Sequence, residues 1–234
     1  MKRVKIAAGL AHVNYGELGD LVEKATKAGV DYIHAEAADM QVLTNESLMG
    51  GFRDVAGIRD RTDLPIELHC YIKTCSLKFI GQVADAGANM IILPIDHFLG
   101  GAPLAFFIKR AKERGMKFGL FSNCISPAFF FEEVIYWIDR IHVVTHGIQD
   151  DYYGWRRSIV PMIKKLRKMI DEKKPEVELA CDGGIIPENL EPLVLAGADV
   201  IEFSRPVFEN PDNMVENVRK IRNALDAASK KLDS

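Results

Sequence analysis

A short phrase recurs along the chain: Ala28-Gly29-Val30-Asp31-Tyr32-Ile33, Ala86-Gly87-Ala88-Asn89-Met90-Ile91 and Ala196-Gly197-Ala198-Asp199-Val200-Ile201. In each copy an amphipathic segment ends at the glycine and an apolar run follows. Glycine supplies the positive φ of a helix C-cap, and a short joint then feeds the next strand. Asp31, Asn89 and Asp199 read as turn formers beside those glycines. Each copy marks the joint at which a helix gives way to a strand, so the chain is one of alternating β and α units.

Extending the pattern predicts strands near 4–9, 30–36, 64–71, 89–95, 117–123, 140–145, 177–182 and 199–204. Helical periodicity lies between them, at Leu18 to Lys27, Leu77 to Ala86, Leu104 to Arg114, Ile159 to Glu172 and Met214 to Ala228. Eight strands, each followed by a helical stretch, imply parallel pairing through right-handed crossovers. The expected fold is therefore α/β, a (β/α)8 TIM barrel, with its active site at the C-terminal ends of the strands. A length of 234 residues suits one such domain over 1–234, and no linker or low-complexity tract divides it.

Composition narrows the partners. The chain is 48% hydrophobic and 27% charged, which argues for a folded globular protein. A net charge of -3 without a long basic run argues against nucleic acid. No apolar stretch approaches the roughly 20 residues of a membrane span. Met1 to Gly9 reads as a first strand, because its apolar run is short and is soon broken by His12 and Asn14. Cys70, Cys75, Cys124 and Cys181 fit neither zinc-finger spacing nor a disulfide scaffold, so reduced thiols are expected. A cytoplasmic homo-oligomer acting on a small molecule, with no membrane partner, is the expected setting.

Four residues stand out at the predicted strand ends. Alternation in Tyr32-Ile33-His34-Ala35-Glu36 sends His34 and Glu36 to one face of the second strand. His69 closes the third, and Asp182 closes the seventh before Gly183-Gly184. Two imidazoles and two carboxylates form a nitrogen and oxygen ligand set for a divalent transition metal, with zinc foremost and iron, manganese or cobalt also suited. A lone buried His is more often structural, but four potential ligands at three strand ends favour a metal site. Asp39 either orients a ligand from behind or caps the following turn.

Anion contacts are expected nearby. Arg205, after the eighth strand, can grip phosphate or carboxylate bidentately, or form a surface salt bridge. Gly183 and Gly184 can present backbone N–H groups to an anion, or merely turn the chain. The connection after the sixth strand, His146 to Arg157, carries two glycines, three aromatics and two arginines. It reads equally as a lid over an anionic ligand or as a solvated loop.

These residues carry a resemblance to a known family. The chain resembles the ribulose-phosphate 3-epimerases over nearly its whole length. The stretches that carry it are Ile6-Ala7 with Tyr15-Gly16-Glu17-Leu18-Gly19, the run from Ala28 to His34, and Asp63-Leu64-Pro65 leading to Leu68-His69. Ser122-Asn123 with Ser126-Pro127, and Cys181-Asp182-Gly183-Gly184-Ile185 with Pro187-Glu188, extend it. Family members show a His-x-Asp pair on strand 2, a His on strand 3 and Asp-Gly-Gly on strand 7, and hold a metal on the two histidines and two aspartates. The resemblance thus implies His34, Glu36, His69 and Asp182 as ligands, with Glu36 in place of Asp, and Glu36 and Asp182 as the acid and base.

The surroundings depart from the family. Ala38-Asp39-Met40 stands where Met-Asp-Gly is typical, and Cys70-Tyr71 where Leu-Met follows the strand 3 His. The Gly-rich phosphate loop after strand 6 is replaced, and the strand 8 Gly-Ser aligns with Ser204-Arg205. The first strand's serines align with Gly9 and His12, and its Asp with Asn14. The resemblance therefore implies a retained metal centre in a rebuilt pocket, with Gly183, Gly184, Ser204, Arg205 and His12 as substrate contacts. The expected activity is metal-dependent 3-epimerisation of a ketose phosphate, or of another phosphorylated or acidic sugar, by proton transfer through an enediolate. A decarboxylase or aldolase using the same enediolate is an alternative, as is a non-catalytic sugar-phosphate sensor. Barrels of the lyase type use Asp-x-Lys-x-x-Asp on strand 2, whereas this chain has His34-Ala35-Glu36-Ala37-Ala38-Asp39, without Lys.

Overall fold

The computed structural model describes residues 3–39, 49–99, 103–122, 126–145 and 157–232. Its barrel strands are β1 (Lys5–Gly9), β2 (Tyr32–Ala38), β4 (Ile66–Tyr71), β5 (Met90–Pro94), β6 (Lys117–Ser122), β7 (Arg140–Val144), β8 (Glu178–Asp182) and β9 (Val200–Phe203). All neighbours in this set pair in parallel, and β1 pairs with both β9 and β2, which closes an eight-stranded (β/α)8 barrel. The short β3 (Met49–Gly50) runs antiparallel against the end of β2, an addition that the repeat does not predict.

The predicted periodicity appears as α1 (Leu18–Ala28), α3 (Leu77–Asp85), α5 (Leu104–Glu113), α6 (Val160–Lys173) and α9 (Met214–Lys230), to which α2 (Phe52–Arg59), α4 (Asp96–Leu99), α7 (Glu191–Leu195) and α8 (Arg205–Phe208) are added. In α9 the buried positions Met214, Val218, Ile221, Leu225 and Ala228 recur at helical spacing, so a single apolar stripe meets the barrel. Gly29, Gly87 and Gly197 have φ of 92°, 95° and 100°, the left-handed geometry expected at the joints. One expectation is corrected after β6. Among the described residues only a 3-10 turn (Ala128–Phe131) stands there, where Pro127 and three phenylalanines offer little helix propensity.

The residue after each joint does more than turn the chain. Asp31, Asn89 and Asp199 accept hydrogen bonds from the backbone N–H groups of Ile6, Ile66 and Leu179 at 2.8 Å. Asp139 does the same for Phe118 at 2.9 Å. Each therefore clamps the start of the strand that precedes its own helical crossover.

Strand alternation divides the core in two. Ile33, Ala35, Leu68, Cys70, Ile141, Val143, Leu179, Cys181, Ile201 and Phe203 join the apolar layer beneath the helices. The residues between them point into the barrel, where polarity is unusually high. Arg140 is fully buried there, paired with Glu67 and, at 2.6 Å, with Glu178. Glu178 also meets Lys5 at 2.5 Å, and the Arg140 guanidinium lies 4.7 Å from the centre of the Tyr32 ring. Burial alone would raise the Glu178 carboxyl, but Arg140 and then Lys5 outweigh it and hold it at about 2.

Removing the cation would strip two buried carboxylates of their shared partner, leaving Glu67 with His34 and Glu178 with Lys5. Arg140→Met should therefore destabilise the fold by about 3–5 kcal/mol in chemical denaturation, with partial recovery when Glu178→Gln is added. Because the folded pKa of Glu178 lies below its ordinary 4.5, its stabilisation is complete above that pH and is lost as pH falls through about 2. The stability difference between wild type and Glu178→Gln should shrink over that interval.

Candidate active site

Strands β2, β4 and β8 bring His34, His69 and Asp182 together inside the barrel, as their places at the strand ends predict. A fourth residue, His142 of β7, joins them. The His34 ring centre lies 5.3 Å from that of His69 and 5.3 Å from that of His142, and the latter two are 4.5 Å apart. Asp182 Oδ2 lies 3.5 Å from His69 Nδ1 and 3.4 Å from His142 Nε2. One donor atom from each of His34, His69, His142 and Asp182 falls within 4.8 Å of all the others. Glu36 stands beside this group without belonging to it, its Oε1 3.9 Å from His34 Nε2.

The chemistry of these atoms fits a cation. His34 Nε2 and both ring nitrogens of His69 and His142 are buried without a hydrogen-bond partner among the described residues. Polar atoms removed from water in this way are costly unless something else binds them. Burial, then His142, depresses His69 to about 3, and burial likewise depresses His142, so both imidazoles are neutral and offer lone pairs. Three nitrogens and one carboxylate oxygen suit zinc in particular.

The supports behind the donors are specific. His34 Nδ1 lies 2.7 Å from Glu67 Oε1, which fixes the ring with Nε2 toward the cluster. Burial opposes the charged imidazole, but the bond to Glu67 overcomes it and raises His34 above its usual 6.5. The Tyr71 hydroxyl donates to Asp182 Oδ2 at 3.2 Å, so the Cys70-Tyr71 departure places a donor on the key carboxylate. Burial would raise Asp182 too, yet His142 and His69 hold it well below the carboxylate range. Glu36 moves the other way, pushed up to about 7 by burial and then by the charge of Asp182. Two neighbouring carboxyls are thus driven apart, one toward the ionised and one toward the protonated form.

Other predicted contacts sit at the rim. Gly183 and Gly184 take φ of 106° and 67°, and Thr145 Oγ1 donates to the carbonyls of Asp182 and Gly183 at 2.9 and 2.6 Å, tying down the turn. Arg205 opens α8 and is exposed, Ser204 is half-buried before it, and His12 is exposed beyond β1. Asp39 Oδ2 accepts from the Lys73 backbone at 2.8 Å, joining the ends of β2 and β4. Residues 146–156, which include most of the expected lid, lie outside the described residues. Sequence reasoning missed His142, Glu67 and Tyr71 as members of the site. The signal for His142 is alternation in Arg140-Ile141-His142-Val143-Val144, which puts Arg140 and His142 on the same inward face.

The fold defines the class, a (β/α)8 barrel, and comparison with known proteins identifies the family. The ribulose-phosphate 3 epimerase family profile matches residues 5–208, so the chain belongs to that family, whose named members are isomerases acting on carbohydrates. It is 27% identical to the ribulose-phosphate 3-epimerase of Synechocystis over 95% of each chain. The Bacillus subtilis enzyme of the same name is also 27% identical, over 89% of this chain and 94% of its own. Among solved structures, 3-keto-L-gulonate-6-phosphate decarboxylase from Vibrio cholerae superposes with a TM-score of 0.72 at 15% identity, over 96% of this chain and 98% of its own. The 3-hexulose-6-phosphate synthase of Salmonella typhimurium gives 0.67 at 17%, over 96% and 100%. At these identities the solved structures establish the shared barrel alone.

The donor geometry yields a prediction about metal retention. Purified protein should carry about one divalent transition metal per chain, and His34→Ala, His69→Ala and His142→Phe should each lose it. Glu36→Gln should keep it, as read by elemental analysis. Loss of metal from Glu36→Gln with retention in His142→Phe would instead assign the ligand position to Glu36.

Proposed function

We propose that this protein is a metal-dependent epimerase of a small ketose phosphate, inverting the carbon beside the carbonyl by removing a proton and returning one on the opposite face. The observation that carries this reading is the pair Glu36 and Asp182, one carboxyl beside and one within a single cluster of metal donors, in a family of sugar-phosphate epimerases. His34, His69, His142 and Asp182 would hold the metal. A divalent cation there would supply the positive charge that makes the carbon beside the carbonyl acidic.

The chain's own groups divide the remaining work. Asp182, ionised and steadied by Tyr71, takes the proton from one face. Glu36, favouring its protonated form, delivers a proton to the other, and the roles exchange in the reverse direction. Glu67 keeps His34 aimed at the cluster. The buried lumen excludes water and so protects the carbanionic species from stray protonation. Gly183, Gly184, Ser204 and Arg205 lie at the rim, where the anionic group of the substrate would be held. The lyase alternative is disfavoured by the absence of a lysine between His34 and Asp39.

The decisive measurement is NMR detection of deuterium uptake at the carbon beside the carbonyl, with pentulose, hexulose and tetrulose phosphates in deuterium oxide. Glu36→Gln and Asp182→Asn should each reduce turnover by at least about 100-fold, compared at equal metal content because loss of metal would imitate loss of a base. Wild-type epimerisation by either metal-loaded variant would overturn the two-carboxylate mechanism.

A further inference from the structure

We propose that Glu202, seated in the space left open by Gly9, is a specificity-determining residue that hydrogen-bonds a hydroxyl at the uncharged end of the bound sugar. The pairing of β9 with β1 sets Glu202 opposite Ala7, and its neighbours Ile201 and Phe203 pack outward beneath the helices. Glu202 therefore points into the lumen. It is only 6% exposed, and its Oε1 has no hydrogen-bond partner among the described residues. A Cβ added at Gly9 would collide with that carboxyl, so the Glu202 side chain holds this position because glycine stands there and would have to swing aside for any larger residue. Gly9 pairs with His34 across β1 and β2, which puts the carboxyl level with the donor cluster. Burial acts on this carboxyl first, then Asp182 through its charge and a side-chain hydrogen bond, then Glu36 through its charge, and all favour the protonated form.

A buried carboxyl with one oxygen left open is costly, and a ligand donor would relieve that cost. The chemistry of the ligand group follows from charge. Glu36, Asp182 and Glu202 set three carboxyl groups near one another, partners for a neutral hydroxyl, whereas the cationic side chain suited to phosphate, Arg205, stands at the rim. Ser204 and Arg205 follow Glu202 by two and three residues, where β9 gives way to α8, so an anion held at the rim leaves the hydroxyl-bearing end to reach inward. This assignment rests on the sugar-phosphate reading above, but its test is a binding measurement that does not require turnover.

Metal-loaded full-length protein is titrated calorimetrically with D-xylulose 5-phosphate and with 1-deoxy-D-xylulose 5-phosphate, which differ by a single hydroxyl. Wild type should prefer the hydroxylated sugar by at least about 10-fold, since a site built around a hydroxyl rejects the analogue lacking it. Glu202→Val and Gly9→Ala should both lose that preference, the second by displacing the carboxyl without removing it. Glu202→Gln, which still hydrogen-bonds, should retain most of it. Metal content and thermal melting verify that each variant is folded and loaded. Equal binding of the two sugars by wild type, or a preference that survives Glu202→Val, would overturn the assignment, as would failure of wild type to bind either. Discrimination without any proton exchange would uphold Glu202 while removing the epimerase reading.

Discussion

The fully buried guanidinium of Arg140 is the interaction on which the barrel interior depends. It joins Glu67 to Glu178, and through them ties the strands β4, β7 and β8 to Lys5 of β1. A lumen lined this way cannot be stabilised by apolar packing alone, so its charges must be paired to be tolerated. The same pairing has a chemical outcome: Glu67, held by Arg140 on one side, is presented to His34 Nδ1 on the other. Stability below and ligand orientation above are therefore one chain of contacts.

Much of the architecture was legible in the sequence because it is periodic. The glycine joints and apolar runs locate all eight barrel strands to within a few residues, and the five helices named from periodicity are present. The helix expected after β6 is absent from the described residues, since tertiary burial of Phe131, Ile135 and Ile138 needs only turns. β3 was invisible because two residues carry no periodicity.

The site was legible where two polar residues share a short strand, as at His34 and Glu36, or where a strand ends in Asp-Gly-Gly. His142 escaped because a single histidine within an apolar run reads as a core residue, and its significance depends on three other strands. Glu202 escaped for a related reason: its partner in space, Gly9, is a residue without a side chain. In the sequence Tyr71 is only a departure from the family resemblance, and geometry alone connects it to Asp182.

The clamps at Asp31, Asn89, Asp139 and Asp199 carry a consequence for the molecule's construction. They bind the starts of β1, β4, β6 and β8, every second strand around the barrel. Each clamp is closed within a single strand-crossover-strand unit, so the molecule is a cycle of four self-registered modules. The seams between β2 and β4, β5 and β6, and β7 and β8 cross none of them. A cyclic rearrangement of the chain cut at those seams would keep every module's internal alignment, and the barrel would have only its module-to-module pairings left to find.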